Sequence, residues 1–199
     1  MPGRAAAIIL TAVMAVVLER RLFTRHEYHT MVRAGILNED DPVELLEGEI
    51  VHKMPSGPSH AGVVKRLNKI LSRIAGDAAI VSVQDPLALD DLSEPEPDLM
   101  LLRPRADFYS DSHPTAADVF LVIEVSDTSL VADRDNKVPL YARHAVPELW
   151  LVDLEERRVL VFNRPANGRY TGERVCRDAD TIAVPGFPGK QLAVSELAL

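Results

Sequence analysis

A carboxylate lies inside one of the most apolar stretches of the chain. Phe120–Ser126 has the sequence FLVIEVS, in which Val, Ile and Leu supply four of the seven residues. A short apolar run without polar alternation predicts a strand that is buried on both faces. A carboxylate in such a strand is costly unless its charge is compensated. Glu124 therefore predicts a compensating partner elsewhere in the chain.

A second acid, Asp98, opens another short apolar run upstream. It follows Pro97 and precedes Leu99–Leu102. If the two runs are neighbouring buried strands, the carboxylates of Asp98 and Glu124 can bind one metal ion together. Carboxylates are the natural protein ligands of Mg²⁺, which prefers oxygen. From spacing alone, an acid at a strand start and an acid paired with an arginine remain open alternatives.

Length and charge limit the function classes. The 199 residues suit one domain with a sizeable core. A net charge of −8 argues against the broad basic surface of a nonspecific nucleic-acid binder. A local basic groove remains open. Its candidate members are Lys65, Arg66, Lys69 and Arg73, or Arg103 and Arg105.

Cysteine and histidine usage gives little sign of a soft-metal site. The single cysteine, Cys176, excludes an intrachain disulfide and a cysteine metal cluster, and a reducing cytoplasmic location is expected. Apart from His60, the histidines have no spacing that predicts a metal site. These are His26, His29, His52, His113 and His144.

The N-terminus carries an apolar run, Ala5–Leu18, preceded by Arg4. It is short for a membrane span and resembles the core of a signal peptide. Glu19-Arg20-Arg21 follows it in place of a small-x-small cleavage site, and Met14 is an alternative start. We therefore interpret residues 1–21 as an apolar extension whose native status is open, expect no membrane partner, and predict one domain over residues 22–199.

Helix and turn signals divide the chain. Thr24 and Glu27 match a capping box for a helix that Gly35 would end. Glu47-Gly48 predicts a hairpin turn. Ser59 is the predicted cap of a second helix, whose apolar stripe is Val63, Val64, Leu67, Ile70, Leu71 and Ile74. Strands are predicted at Ala78–Val83, Leu87–Leu89, Leu99–Leu102, Val119–Val125, Glu148–Asp153 and Arg158–Asn163.

A lysine follows the strand that carries Glu124. Pro139 fits best in the first turn of a helix, so a helix is predicted to start near Asn136. If the helix instead begins earlier, Asp133, Lys137 and Tyr141 fall on one face at i, i+4 and i+8. Lys137 is then a candidate to stabilise charge at the metal. A solvated helix lysine is the alternative.

Six short motifs occur in a fixed order between Leu22 and Leu192. They are ELLEGEIV (Glu44–Val51), GPSH (Gly57–His60), EPEPDL (Glu94–Leu99), IEVSDTS (Ile123–Ser129), D-x-x-x-K-x-x-x-Y (Asp133–Tyr141) and VPELWLVD (Val146–Asp153). Together they resemble the Uma-two family of restriction endonucleases, which is placed in the PD-(D/E)XK nuclease superfamily. The resemblance implies an α/β fold of the restriction-endonuclease-like type, with a mixed sheet flanked by helices.

The resemblance also implies roles for individual residues. Asp98 matches the first acid of the superfamily motif and Glu124 the second. The superfamily lysine normally stands at the position of Ser126, and in this family its role passes to Lys137. The backbone carbonyl of Val125 is a further candidate metal ligand. Weaker candidates are Glu47 or Glu49 as an additional acid, His60 as a lining residue, and Asp133 and Tyr141 beside the lysine.

The expected function is a Mg²⁺-dependent or Mn²⁺-dependent endonuclease that hydrolyses DNA phosphodiester bonds. An inactive nuclease-fold module that binds nucleic acid or a protein partner is the alternative, because fold does not guarantee activity. A homodimer would suit cleavage of both strands of a duplex, since most oligomers are twofold.

Overall fold

The computed structural model describes residues 20–38, 40–55, 57–127 and 130–199. The apolar run predicted as an N-terminal extension lies outside the described residues. Among the helices described, none combines the length and the apolar character needed to cross a membrane.

The chain forms a mixed sheet with helices on both faces. The helices are α1 (Arg25–Arg33), α2 (Pro58–Ala75), α3 (Leu130–Ala132) and α4 (Val138–Arg143). The strands are β1 (Val43–Leu46), β2 (Glu49–His52), β3 (Ile80–Val83), β4 (Leu99–Leu102), β5 (Val119–Ser126), β6 (Glu148–Asp153), β7 (Arg158–Ala166), β8 (Arg169–Cys176), β9 (Thr181–Ala183) and β10 (Gln191–Ala193). The α/β class with a mixed sheet is therefore confirmed.

Six strands make the main sheet in the order β3-β4-β5-β6-β7-β8. Of its neighbouring pairs, β5 and β6 run parallel and the others antiparallel. The strands β1 and β2 form a separate hairpin, as do β9 and β10. The predicted strand at Leu87–Leu89 is wrong, because this segment makes only an isolated bridge from Ala88 to Thr115.

The strand β5 is buried on both faces, as its composition predicts. Leu121, Ile123 and Val125 belong to the same core cluster as the apolar stripe of α2. Val122 belongs to a second cluster on the opposite face, together with Tyr141 of α4. Because side chains alternate along a strand, Glu124 lies on the α4 face with Val122.

The second helix, α2, starts two residues earlier than predicted, with its N-cap at Gly57 and not at Ser59. Gly57 is its N-cap and makes no side-chain capping bond, and Pro58 takes the first helical position. Proline is tolerated there because the N–H that it lacks has no partner inside the helix. Ser59 is thus inside the helix, and the predicted role of its side chain as the cap is wrong.

The N-terminal part of the described chain packs α1 against the β1–β2 hairpin. Tyr28, Val43 and Leu45 form a small core of their own. The hairpin turn has positive φ at both central residues, 51° at Glu47 and 81° at Gly48. That pattern is the type I′ turn expected between two antiparallel strands, so the predicted hairpin is confirmed.

The capping box at the start of α1 is also confirmed. The Thr24 side chain accepts a hydrogen bond from the backbone N–H of Glu27, and the Glu27 carboxylate accepts one from the N–H of Thr24. This backbone hydrogen bond, together with Arg21, lowers the pKa of Glu27. Each bond satisfies a donor that the first turn of a helix would otherwise leave unpaired.

Replacement of Thr24 by alanine is expected to lower the free energy of unfolding by about 1 kcal/mol, because alanine cannot accept the capping hydrogen bond. Urea unfolding followed by circular dichroism measures the change. Thr24→Ser keeps the hydroxyl and should leave the free energy close to that of the wild type. Equal losses for the two variants would contradict the capping role.

The helix after β5 begins earlier than its proline suggests. A turn at α3 leads into a π-helix at Asp133–Lys137, which continues as α4. Pro139 lies in the first turn of α4, where it costs no hydrogen bond inside that helix. The predicted start near Asn136 is therefore wrong. The wide π turn is a local feature often found at functional sites.

Candidate active site

A cleft of about 530 Å³ opens at one end of the main sheet. The strands β4 and β5 are antiparallel, with Leu99 paired to Ile123. This register places Asp98, which precedes β4, beside Glu124 near the end of β5. Both acids line the cleft, together with Lys137 from the π-helix and His60 from α2. The fold thus brings together residues that are far apart in the sequence.

Asp98 is held by one backbone donor and one histidine. Its Oδ2 accepts hydrogen bonds from the N–H of Val125 at 2.8 Å and from Nε2 of His60 at 3.0 Å. Its Oδ1 has only a long contact of 3.4 Å with the side-chain amide of Gln84. The carboxylate is therefore fixed through one oxygen, and the other is available to a ligand.

Glu124 is 4% exposed and is also held through one oxygen. Its Oε1 accepts a hydrogen bond from the Tyr141 hydroxyl at 2.7 Å and lies 3.2 Å from Nζ of Lys137. Burial is the largest cause that raises the pKa of Glu124, to about 8, and the charges of Asp98 and Glu44 act in the same direction. Lys137 opposes this shift without reversing it.

Lys137 is 8% exposed and bridges two carboxylates. Its Nζ lies 3.0 Å from Oε1 of Glu44 and 3.2 Å from Oε1 of Glu124. Burial alone would lower the pKa of this ammonium, but the charges of Glu124 and Glu44 outweigh burial and raise it. The structure thus makes Lys137 a buried, paired cation and not a solvated helix lysine.

Glu44 of β1 is a buried acid that the sequence interpretation missed. It is 4% exposed, and its second oxygen accepts a hydrogen bond from the N–H of Glu96 at 3.0 Å. The signal that found Glu124 was present here too, since Glu44 stands between Val43 and Leu45. The β1–β2 hairpin therefore contributes a second carboxylate that contacts Lys137, in addition to Glu124.

The acids first considered in the hairpin, Glu47 and Glu49, lie on the rim of the same cleft. Their side chains are 65% and 45% exposed. Glu47 pairs with Arg143 at 2.6 Å, and Glu49 pairs with Arg20. The structure keeps both acids away from Lys137, and their role as metal ligands stays a prediction.

His60 lies at the start of α2 with 8% exposure. Its Nε2 contacts Asp98, whereas its Nδ1 is buried without a hydrogen-bond partner in the described part of the chain. The hydrogen bond to Asp98 is the largest cause that raises the pKa of His60. The contact orients the Asp98 carboxylate and favours the protonated form of His60.

The remaining candidates support the strand that carries Glu124. Tyr141 is fully buried, and burial raises the pKa of its hydroxyl well above the ordinary value, so it remains a donor to Glu124. Ser126 donates a hydrogen bond to Oδ2 of Asp133 at 2.7 Å. The position of the superfamily lysine is thus occupied by a serine that ties β5 to the π-helix. The role of the Val125 backbone carbonyl as a metal ligand stays a prediction.

The two candidate basic groups lie in different places. Arg103 and Arg105 follow β4, whereas Asp98 precedes it, so they are at the opposite end of that strand. Arg103 lies over the Phe120 ring, and Arg105 pairs with Asp107. The basic residues of α2 are exposed on the helix that begins at the cleft. Arg66 and Arg73 of this group bind the C-terminal segment through Leu197 and Glu196.

Known proteins that are similar to this chain include one sequence family and several solved structures. A family model described as "Uma2: Putative restriction endonuclease" matches residues 25–195. Five solved chains match, among them a crystal structure described as "a putative nuclease belonging to DUF820" from Anabaena variabilis ATCC 29413. No curated protein matches the sequence.

The match to the Anabaena variabilis protein extends over nearly the whole of both molecules. It covers 88% of this chain and 97% of that chain, with a TM-score of 0.67 and 18% sequence identity. At this identity the likeness establishes the fold alone, which is a mixed α/β sheet flanked by helices. Because the family model covers most of the described residues, the chain belongs to the Uma2 restriction endonuclease family.

Proposed function

We propose that the protein is a divalent-metal-dependent endonuclease that hydrolyses phosphodiester bonds in DNA. The observation that carries this proposal is the cluster formed by Asp98, Glu124, Glu44 and Lys137. The β1–β2 hairpin and β5 bring two buried carboxylates, Glu44 and Glu124, to one buried lysine at the wall of a cleft that Asp98 also lines. A structural role alone does not require two buried carboxylates beside one ammonium and a third acid in the same cleft, since one carboxylate would neutralise the lysine.

The donor set fits a hard divalent cation. In the described part of the chain, the hydrogen bonds and the ion pair of Glu124 all involve Oε1, which leaves Oε2 for a ligand. Asp98 likewise has Oδ1 free of short contacts. Carboxylate oxygens suit Mg²⁺ and its common substitute Mn²⁺. Asp98 and Glu124 would hold the ion, with the backbone carbonyl of Val125 as an additional ligand.

The cleft has an excess of negative charge that a cation would offset. Eight Asp and Glu residues line it, against two lysines. Burial is the largest cause of the raised pKa of Glu124, and the neighbouring acids of the cleft raise it further. An acidic cleft repels a phosphate backbone at long range, so binding of nucleic acid to it would depend on metal ions.

A bound divalent ion would supply positive charge to the scissile phosphate and lower the pKa of the attacking water. The protein's own groups would orient the reactants. His60 and the N–H of Val125 fix Asp98, and Tyr141 fixes Glu124. Lys137 has three N–H donors and contacts two carboxylates, so one donor remains for the water or a phosphate oxygen.

The start of α2 provides a second attraction for phosphate. Gly57 caps the helix without a side-chain hydrogen bond, and both Gly57 and His60 line the cleft. The first N–H groups of a helix have no partner inside it and carry the positive end of the helix dipole. The helices α2 and α4 cover opposite faces of the main sheet. A phosphate in the cleft would therefore meet the N–H donors of α2 from one face and Lys137 from the other.

A plasmid-nicking assay tests the proposal. Supercoiled DNA incubated with the wild type and Mg²⁺ or Mn²⁺ is expected to become nicked or linear, and EDTA should stop the reaction. Lys137→Ala should show no cleavage under the same conditions. Cleavage at the wild-type rate by the variant would place the chemistry elsewhere or indicate a contaminant.

The alternative function gives a different pattern. An inactive nuclease-fold module would leave several unrelated plasmids and short duplexes intact with either metal. If a mobility-shift assay then showed DNA bound by the wild type, the chain would be a binding module, and the catalytic proposal would be rejected.

A further inference from the structure

A second cluster of ligand-type side chains lies outside the catalytic cleft. It contains His29 of α1, Glu94 in the connection before β4, and His113 in the long loop before β5. One ligand atom from each residue lies within 4.8 Å of the others. None of the three residues lines the cleft. The sequence interpretation found no metal-site spacing among the histidines, yet the fold brings two of them to one carboxylate.

The geometry around Glu94 suits a single ion. Nε2 of His29 lies 2.8 Å from Oε1 of Glu94. The His113 ring is stacked on the His29 ring, with centroids 6.2 Å apart and an interplanar angle of 11°, so it must rotate before its nitrogen points at the same ion. Ligand atoms around a tetrahedral zinc ion are separated by about 3.3 Å, given bond lengths near 2.0–2.1 Å. The ligand atoms, now within 4.8 Å of one another, would move closer together as the ring of the exposed His113 rotates.

The carboxylate of the cluster is already fixed in place. Glu94 is 2% exposed, and its backbone N–H donates to the carbonyl of Leu45 at 2.8 Å. Arg25 contacts Oε2 at 3.3 Å, so Oε1 is the atom that faces His29. A hydrogen-bonded partner that orients a ligating carboxylate is typical of metal sites. A buried acid with two histidines beside it is thus more than a surface charge cluster.

The chemistry of the three groups selects the metal. Two imidazoles and one carboxylate suit Zn²⁺, whereas Mg²⁺ prefers oxygen ligands alone. We propose that His29, Glu94 and His113 bind one Zn²⁺ ion, with water as the fourth ligand. The ion would join α1 to the loop between β4 and β5, which are far apart in the sequence. The ion would link two peripheral segments across the buried Glu94 and keep one coordination position for water.

Metal titration of the chelator-treated full chain tests this site. With Mg²⁺ present in excess to occupy the cleft, the wild type is expected to bind one Zn²⁺ per chain in calorimetry, and Co²⁺ should give the absorption bands of a tetrahedral site. Zn²⁺ at a large excess over its dissociation constant should raise the melting temperature by about 5 °C. His113→Ala should weaken Zn²⁺ binding at least tenfold and remove the thermal shift.

Two further variants make the result specific. His26→Ala removes an exposed histidine from the same helix and should bind Zn²⁺ like the wild type. Asp98→Ala removes the His60 partner in the cleft and should also retain the Zn²⁺ ion, so the outcome is independent of nuclease activity. Wild-type binding by His113→Ala, or no Zn²⁺ binding at micromolar concentration by the wild type, would overturn the proposal.

Discussion

Replacement of Lys137 by methionine is expected to lower the free energy of unfolding by about 3–5 kcal/mol, the usual cost of removing one partner from a buried ion pair. Methionine fills most of the space, so a cavity contributes little. The loss comes from Glu44, which retains its buried carboxylate without the ammonium 3.0 Å away. Urea unfolding monitored by fluorescence of Trp150 measures the change.

A double-mutant cycle separates charge from packing. Glu44→Gln in the Lys137→Met background removes the unpaired charge, so the double variant should be more stable than Lys137→Met alone. Lys69→Met on the exposed face of α2 is the matched control and should change stability by less than about 0.5 kcal/mol. A loss below about 1 kcal/mol for Lys137→Met would mean that the lysine is not an essential counter-charge.

The second large effect is on catalysis. Asp98→Asn is expected to reduce the rate of metal-dependent DNA cleavage by about 10²–10⁴-fold. A metal ion contributes several kcal/mol of charge stabilisation in such reactions, and 1.36 kcal/mol corresponds to tenfold in rate. Asparagine keeps the size of the side chain but loses the charge that attracts the ion. Rates of plasmid nicking over a Mn²⁺ series measure the effect.

Two rim acids serve as controls for that result. Glu47→Gln and Glu49→Gln remove exposed carboxylates of the same cleft and should leave the cleavage rate within about threefold of the wild type, because exposed charges act through solvent. A large loss in either variant would support that acid as an additional metal ligand. An active Asp98→Asn enzyme would instead exclude Asp98 from the site.

Much of the fold followed from local signals. The apolar residues of β5 and of the α2 stripe show which faces are buried. The capping box at Thr24 and the turn at Glu47-Gly48 show where a helix begins and where a hairpin turns. Tertiary contacts reinforce these choices and do not oppose them. Such elements can be predicted from one sequence because the information lies within one or two turns of the chain.

The site was harder to predict where the position of a side chain depends on contacts with residues far away in the sequence. Glu44 lies in a two-stranded hairpin, in which one exposed face is the ordinary expectation. Packing against Lys137 buries it instead, and this contact spans more than ninety positions. The meeting of His29 with His113 depends in the same way on tertiary packing. The spacing of residues within one segment of the sequence does not predict either contact.

The π turn before α4 shows another limit. Pro139 favours a helix that starts just before it. The observed helix continues upstream because one wide turn precedes the proline, and the lysine lies at the end of that turn. No local propensity specifies a π turn. Its formation here accompanies the contacts that Lys137 and Tyr141 make with β5.

The parallel pairing of β5 with β6 has a consequence for how such a site can change over evolutionary time. Parallel neighbours require the chain to cross back over the sheet before the next strand begins. That crossover passes the end of β5, where Glu124 lies. A cationic group lost from the strand can therefore be supplied again from the crossover, with the strand order intact. In this chain the strand carries Ser126, and the buried ammonium beside Glu124 comes from Lys137 in the crossover.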